Sequence, residues 1–188
     1  GERAALIIAA DGGLAALSST GVAPTLLVGD FDSVDPALVG EFQKRGVEIL
    51  RAQAEKNETD TQLALYEAVR RGAKTVCLLG ATGSRTDHFL SALMLLVWSL
   101  KNGVELVIED GVQTIEIGCG DFAVYGKKGQ TVSIIPAGSF AEVTAEGLYY
   151  PLEKLLLTNG LPRGVSNVFL GEEAAIHTKE PVFVIKIK

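Results

Sequence analysis

The stretch Leu27-Val28-Gly29-Asp30-Phe31-Asp32-Ser33 carries an apolar run onto two carboxylates one residue apart. Its apolar part reads as a buried strand. Successive side chains alternate along extended backbone, so Asp30 and Asp32 are expected to point the same way. Two carboxylates about 4 Å apart repel by roughly 4 kcal/mol at an effective dielectric near 20, and a divalent cation between them relieves this. The pair therefore points to bound Mg²⁺ and, through it, to phosphates.

Working outward, the first part of the chain alternates short apolar strands with helical patterns, the signature of βαβ units. Leu6 to Ala10, Thr25 to Val28, Val47 to Leu50 and Thr75 to Leu79 read as strands, with Val104 to Ile108 a fifth. Between them, Asp60 to Arg71 has apolar residues at helical spacing and a Gly72 stop. Asp87 to Lys101 is apolar on nearly every face, which predicts a helix buried in a core or a subunit interface. After about Gly118 the helical signals fade. Gln130 to Ile135, Phe140 to Ala145, Ser166 to Leu170 and Val182 to Lys188 alternate instead, separated by Gly, Pro or Asn. The expected fold class is α/β: a mostly parallel, Rossmann-like open sheet with flanking helices over 1–118, then an antiparallel β-sandwich over 119–188.

With 188 residues, 47% of them apolar, the chain can bury a sizeable core. Its net charge of −6 and its lack of clustered Lys and Arg argue against nucleic acid as a partner. Cys77 and Cys119 fit neither a disulfide framework nor a metal-ligand spacing, and Cys77 lies in a run expected to be buried, so a reducing cytoplasm is the expectation. Phe89 to Leu100 is too short to span a bilayer, and the chain opens on Gly-Glu-Arg and a strand-like run rather than a signal sequence. No membrane partner is expected.

Four places put a carboxylate where a strand ends or a helix begins, the edge at which open α/β sheets bind ligands. They are Asp11-Gly12-Gly13, Asp30-Phe31-Asp32, Thr59-Asp60 and the loop from Gly80 to Asp87. Singly, each has a plain structural alternative. Asp11 with two glycines suits a turn, and Asp60 and Asp87 suit helix N-caps. The Gly80 loop is more specific, because Gly80 and Gly83 let backbone amides approach a phosphate while Arg85 offers a planar fork to its oxygens. No Gly-Lys-Ser/Thr follows the glycines, so it is not a P-loop. His88 reads as bonded to nearby backbone, Trp98 as core or interface packing and His177 as a surface or edge residue, while Tyr149 and Tyr150, at a strand end, read as core.

Together these segments resemble the thiamine pyrophosphokinase family. Ala10 to Gly13 is similar to its Ala-Asp-Gly-Gly motif, Gly29 to Ser33 to its Gly-Asp-Phe-Asp-Ser, Lys56 to Asp60 to its Lys-Asp-x-Thr-Asp, and Gly80 to His88 to its Gly-x-x-Gly-x-Arg-x-Asp-His loop. Gly147-Leu148-Tyr149-Tyr150-Pro151-Leu152 and Ser166-Asn167 resemble elements of its second domain. The resemblance implies an enzyme that moves the pyrophosphoryl group of ATP onto the hydroxyl of thiamine, giving thiamine diphosphate and AMP. It implies that Asp30, Asp32 and Asp60 hold Mg²⁺, and that Asp11, Gly12, Gly83, Arg85 and Asp87 complete the nucleotide and catalytic site. Ser166 and Asn167 would reach thiamine bound by the other subunit of a homodimer, between its α/β domain and this β-sandwich.

The chain departs from the family pattern at Asn57, where the family usually has Asp, and its only Trp, Trp98, lies outside the second domain. The family also generally carries a strand and loop ahead of the Ala-Asp-Gly-Gly motif. Two other readings stay open from residues alone. One is a different Mg²⁺-dependent Asp-x-Asp nucleotide transferase; the other is a homodimer that binds thiamine or nucleotide without catalysis. Either Asp60 or Asp87 could accept the proton of the attacking hydroxyl.

Overall fold

The computed structural model describes residues 6–32, 34–52, 57–83 and 85–188, so Ser33, Lys56 and Ser84 of the motifs above lie outside the described residues. The chain forms two compact units, Gly1–Lys74 and Thr75–Lys188.

The first unit runs β1 (Ile8–Ala10), α1 (Gly13–Ser18), β2 (Leu26–Gly29), α2 (Pro36–Lys44), β3 (Glu48–Arg51) and α3 (Asp60–Arg70). Its three strands are parallel in the order β1-β2-β3, with Ala9 opposite Leu27 and Leu27 opposite Ile49. All four residues of the central strand β2 are buried, which is why its sequence is an unbroken apolar run. Leu27 joins Ala9, Leu14, Phe31, Val34, Val39 and Phe42 in one core cluster, while α3 packs against β1 and β2. Helix α2 begins as its sequence requires: the Asp35 carboxylate accepts from the Ala37 N–H at 2.9 Å, and Pro36 occupies the first turn.

The second unit runs β4 (Thr75–Leu79), α4 (Thr86–Lys101), β5 (Glu105–Glu109), β6 (Gln113–Tyr125), β7 (Thr131–Pro136), β8 (Phe140–Glu146), β9 (Leu152–Thr158), β10 (Asn167–Val168) and β11 (Glu173–Ile187). Strands β4 and β5 are parallel and every other pairing is antiparallel, in the order β10-β7-β11-β6-β5-β4 with β8 and β9 branching from β11. A register shift between Thr178 and Val182 divides β11: its first half pairs with β8 and its second with β7. Strands that change partners at such an irregularity turn the corner of a two-layered sheet. Val132 and Ile134 of β7 and Ala141, Val143 and Ala145 of β8 accordingly share one core with Phe169, Ile176 and Val184.

Strand β6 is continuous from Gln113 to Tyr125 and so passes through residues 118–121, where the composition changes. Helix α4 is buried along one face only, at Ala92, Leu95, Leu96 and Ser99, while Leu90 and Met94 are exposed. Within this chain it lies on β5 and β6, so burial in a core is met along that face, and the subunit-interface alternative concerns the exposed one. Among the described residues no helix is long and apolar enough to cross a membrane. Both cysteines are free thiols, and Cys77 is exposed rather than buried because β4 is the outer strand of its sheet.

Candidate active site

At the carboxyl ends of β1 and β2, carboxylate oxygens of Asp11, Asp30 and Asp32 all lie within 4.8 Å of one another. The backbone that gathers them is specific. Asp11 leaves β1 with φ 37° while its N–H still donates to the Val28 carbonyl at 2.9 Å, which ties the end of β1 to β2. Across the pair stands Gly29, where a Cβ would sit 3.2 Å from the Asp11 Cβ and 3.3 Å from its Cα. A side chain there would be strained at φ 155° and would press on Asp11, so glycine suits this close approach.

Asp30 and Asp32 converge, but not by strand alternation. Strand β2 stops at Gly29, and Phe31 adopts φ 60° with its ring buried in the core, 7% exposed. The chain thus turns tightly, and the Asp30 carboxylate accepts the Asp32 N–H at 3.2 Å. Arg51 lies over the outer side of the Phe31 ring at 5.5 Å. An apolar residue between two carboxylates was the signal for this arrangement. Its side chain is the anchor about which both acids swing to one side.

Three carboxylates at this spacing form a donor set of hard oxygens, suited to Mg²⁺ or Ca²⁺ and unsuited to ions that prefer nitrogen or sulfur. The Asp11 Oδ1 is buried, and Gly29 leaves the space in which the acids approach, so the residues present fit a small divalent cation.

Asp60 belongs to the same unit but not to this triad. It is the first residue of α3, whose N-cap is Thr59, with the Thr59 hydroxyl accepting the Gln62 N–H at 3.2 Å. A carboxylate in the first turn is favoured there by the helix dipole. Gly12 leads into the short helix α1 and is exposed. Asn57 is exposed as well.

In the second unit, the loop after β4 opens with Gly80 at φ 75° and ends at Arg85, the residue before α4, with Gly83 exposed between them. Arg85 grips Asp87 with two prongs, Nε to Oδ1 at 3.0 Å and Nη2 to Oδ2 at 2.6 Å. Both side chains are about two-thirds exposed, at 68% and 65%. The guanidinium holds the Asp87 carboxyl well below the usual carboxylate range. A carboxylate so stabilised in its ionised form is a weak proton acceptor, which counts against Asp87 as a base while this fork is closed.

Ser166 and Asn167 are adjacent but differently placed. Ser166 is exposed, held at φ 61° with its N–H donating to the Ser133 hydroxyl at 3.1 Å. Asn167 is only 3% exposed and clamps Tyr150: its Nδ2 donates to the Tyr150 carbonyl at 2.6 Å and its Oδ1 accepts the Tyr150 N–H at 3.0 Å. The turn it clamps presents Tyr149 and Tyr150 to solvent, 63% and 59% exposed, edge to face with centroids 4.9 Å apart. These tyrosines are surface residues, not core as their place at a strand end suggests, because Leu148 and Leu152 fill the core on either side.

A parallel sheet with acidic side chains gathered at its carboxyl edge, followed by a mostly antiparallel sheet, defines an α/β protein, and that edge is where open sheets of this kind bind ligands. The model for the catalytic domain of thiamin pyrophosphokinase matches residues 2–108, and the model for that enzyme's vitamin B1 binding domain matches residues 121–183. The chain belongs to the thiamin pyrophosphokinase family. Thiamine pyrophosphokinase of Bacillus subtilis is 30% identical to it over 165 residues, 86% of this chain and 77% of the relative. The crystal structure of a thiamine pyrophosphokinase from Bacillus subtilis matches all of this chain and 89% of its own, with a TM-score of 0.88 and 25% identity. A thiamin pyrophosphokinase family protein from Enterococcus faecalis matches 96% of this chain and 87% of its own, with a TM-score of 0.84 and 29% identity.

Proposed function

We propose that this chain transfers the pyrophosphoryl group of ATP to the hydroxyl of thiamine, with Mg²⁺ as cofactor, and works as a homodimer in the cytoplasm. The observation that carries the reading is the convergence of Asp11, Asp30 and Asp32 at the carboxyl edge of β1 and β2, in a chain of this family. Free thiols at Cys77 and Cys119 agree with a reducing compartment. The functional division we assign is 1–118 for ATP binding and catalysis, and 119–188 for thiamine binding and dimerisation.

In the reaction the thiamine hydroxyl oxygen bonds to the β-phosphorus of ATP, the bond from that phosphorus to the α-phosphate oxygen breaks, AMP leaves, and the hydroxyl proton is released. Asp30 and Asp32, together with Asp60, are the residues we assign to the cation, and the triad geometry adds Asp11 to them. Bound Mg²⁺ supplies positive charge where the transferred oxygens gain negative charge. Gly12, Gly83, Arg85 and Asp87 are assigned to the nucleotide. Arg85 would exchange its grip on Asp87 for phosphate oxygens, which leaves Asp87 charged at the site. Ser166, being exposed, is assigned a direct contact with thiamine. Asn167 is assigned to the same site through the turn it clamps.

The test is production of AMP from ATP. AMP formed only when thiamine and Mg²⁺ are both present, in equal amount to thiamine diphosphate, supports the proposal. AMP formed without thiamine, or thiamine bound without any AMP, overturns it in favour of a different transferase or a binding protein.

A further inference from the structure

Among the described arginines, all but Arg163 meet an acid or an aromatic ring. Arg45 pairs with Glu41, Arg70 and Arg71 with Glu67, and Arg85 with Asp87, while Arg51 lies over the Phe31 ring. Arg163 is exposed, and its guanidinium has neither an ion pair nor a hydrogen bond among the described residues. No carboxylate is at hand in its surroundings. Arg163 is the only charged residue between Lys154 and Glu172, and the stretch that pairs with this segment, Gly129 to Ala141, carries no charge. Leu161 and Val165 on either side of it are 58% and 50% exposed. The backbone is nonetheless fixed. The Arg163 N–H donates to the Leu161 carbonyl at 2.7 Å, the Gly164 carbonyl accepts the Ile134 N–H at 2.8 Å, and the Ser166 N–H is held by the Ser133 hydroxyl at 3.1 Å.

We propose that Arg163 is a substrate-binding residue whose guanidinium takes oxygens of the pyrophosphoryl group, in ATP as it meets thiamine and in the diphosphate of the product. Ser166, three residues further on, is the side chain assigned to thiamine. The thiamine hydroxyl has to meet the β-phosphorus, so the anionic oxygens of that group come up against the same segment. A guanidinium offers them a planar fork, and hydrogen bonds between ionised partners are the stronger kind. Arg85 must first release Asp87 to reach a phosphate, whereas Arg163 has no acid of its own chain to give up. Its turn is ordered beforehand, so little binding energy is lost in fixing it. Where a bound substrate displaces water from beside Leu161 and Val165, the effective dielectric falls and the attraction grows. This inference deepens the reading above and rests on it for the identity of the anion.

The experiment uses the full chain with Arg163→Met, which keeps the apolar stem and removes the fork, and Arg163→Lys, which keeps the charge alone. Isothermal titration in Mg²⁺ measures three probes: thiamine, thiamine diphosphate and inorganic pyrophosphate. In Arg163→Met the affinity for thiamine diphosphate and for pyrophosphate is expected to fall roughly 10- to 100-fold, the range for a hydrogen bond to a charged group. Affinity for thiamine and the melting temperature stay at wild-type values, and Arg163→Lys recovers part of the loss. A Met variant that binds both diphosphates as the wild type does overturns this inference, as does a Lys variant no better than Met. Equal loss of thiamine and thiamine diphosphate also overturns it, since that marks a role in the shape of the segment and not in holding the anion. A wild type that forms no AMP overturns the functional reading instead, and the pyrophosphate titrations still decide Arg163: a wild type that binds no pyrophosphate sinks it.

Discussion

Neutralising one member of the Asp11, Asp30 and Asp32 triad should change stability in opposite directions with and without a cation. Asp32→Asn keeps the shape of the side chain and leaves the Asp32 N–H bond to Asp30 in place. It removes two of the three repulsive pairs. At the 4.8 Å limit of the triad, one pair costs roughly 3.5 kcal/mol at a dielectric of 20 and roughly 0.9 at that of water. Asp32 is exposed, so the lower figure governs and the two pairs together are worth about 2 kcal/mol. For a chain of this length, that corresponds to a rise in melting temperature of about 4–8 °C in a chelating buffer. With Mg²⁺ added, the order should reverse: the wild type gains stability by binding, the variant gains much less, and transfer falls by a factor on the order of 10². Thermal melts in chelator and in Mg²⁺, with AMP release measured on the same samples, give all three quantities. A variant that melts lower than wild type in chelator and keeps its full response to Mg²⁺ would refute the claim that these carboxylates repel one another in readiness for a cation.

Acid should weaken the first unit through Glu67, which is buried and receives both Arg70 and Arg71, Arg71 in turn forking Glu48. These guanidinium bonds lower the Glu67 carboxyl from 4.5 to about 2, so its contribution is complete above pH 4.5 and is lost as pH falls toward 2. Glu67→Gln should flatten acid unfolding of this unit over that window, read by circular dichroism. Gly164→Ala should cost about 2 kcal/mol or more, because Gly164 sits at φ 77° and a Cβ there would lie 2.4 Å from the Ile134 carbonyl oxygen; denaturant melts measure it, and KM for thiamine should rise as Ser166 shifts. Arg85→Lys should raise KM for Mg-ATP about tenfold, since an ammonium cannot reproduce the two-pronged grip; an unchanged KM would remove Arg85 from the nucleotide site.

The first unit was legible because its signals are local. Strand β2 announces itself by an unbroken apolar run, and β3 lies within one residue of the expected Val47 to Leu50. Helices α1 and α2 escaped a separate reading because α1 is six residues long and α2 starts behind Asp35-Pro36, a pair that also suits a turn. The second unit was legible in class but not in detail. Strands β6 and β11 are long, and the residues at the register shift between them, Gly118 and Gly120 in one and Pro181 in the other, look in sequence like breaks between shorter strands. Proline inside a strand belongs at an irregularity, and Pro181 lies within the register shift where β11 exchanges β8 for β7.

The site shows the same division between what is local and what is not. That Asp30 and Asp32 act together follows from spacing, but their partner Asp11 lies nineteen residues before Asp30, and only the parallel pairing of β1 with β2 brings it alongside. Holding three like charges together without a cation requires compensation elsewhere. Burying a phenylalanine side chain is worth roughly 1.5–3 kcal/mol, about the size of the repulsion estimated for the triad, and Phe31 is the residue that forces the turn between the two acids. The hydrogen bond from Asp11 to Val28 and the missing side chain at Gly29 then fix the third carboxylate. Because the acids are held by packing, the geometry exists before any ligand arrives, and relief of their mutual repulsion adds to the binding energy of a cation placed between them. Shrinking the anchor, as in Phe31→Ala, should therefore lower Mg²⁺ affinity by loosening the turn although every carboxylate remains.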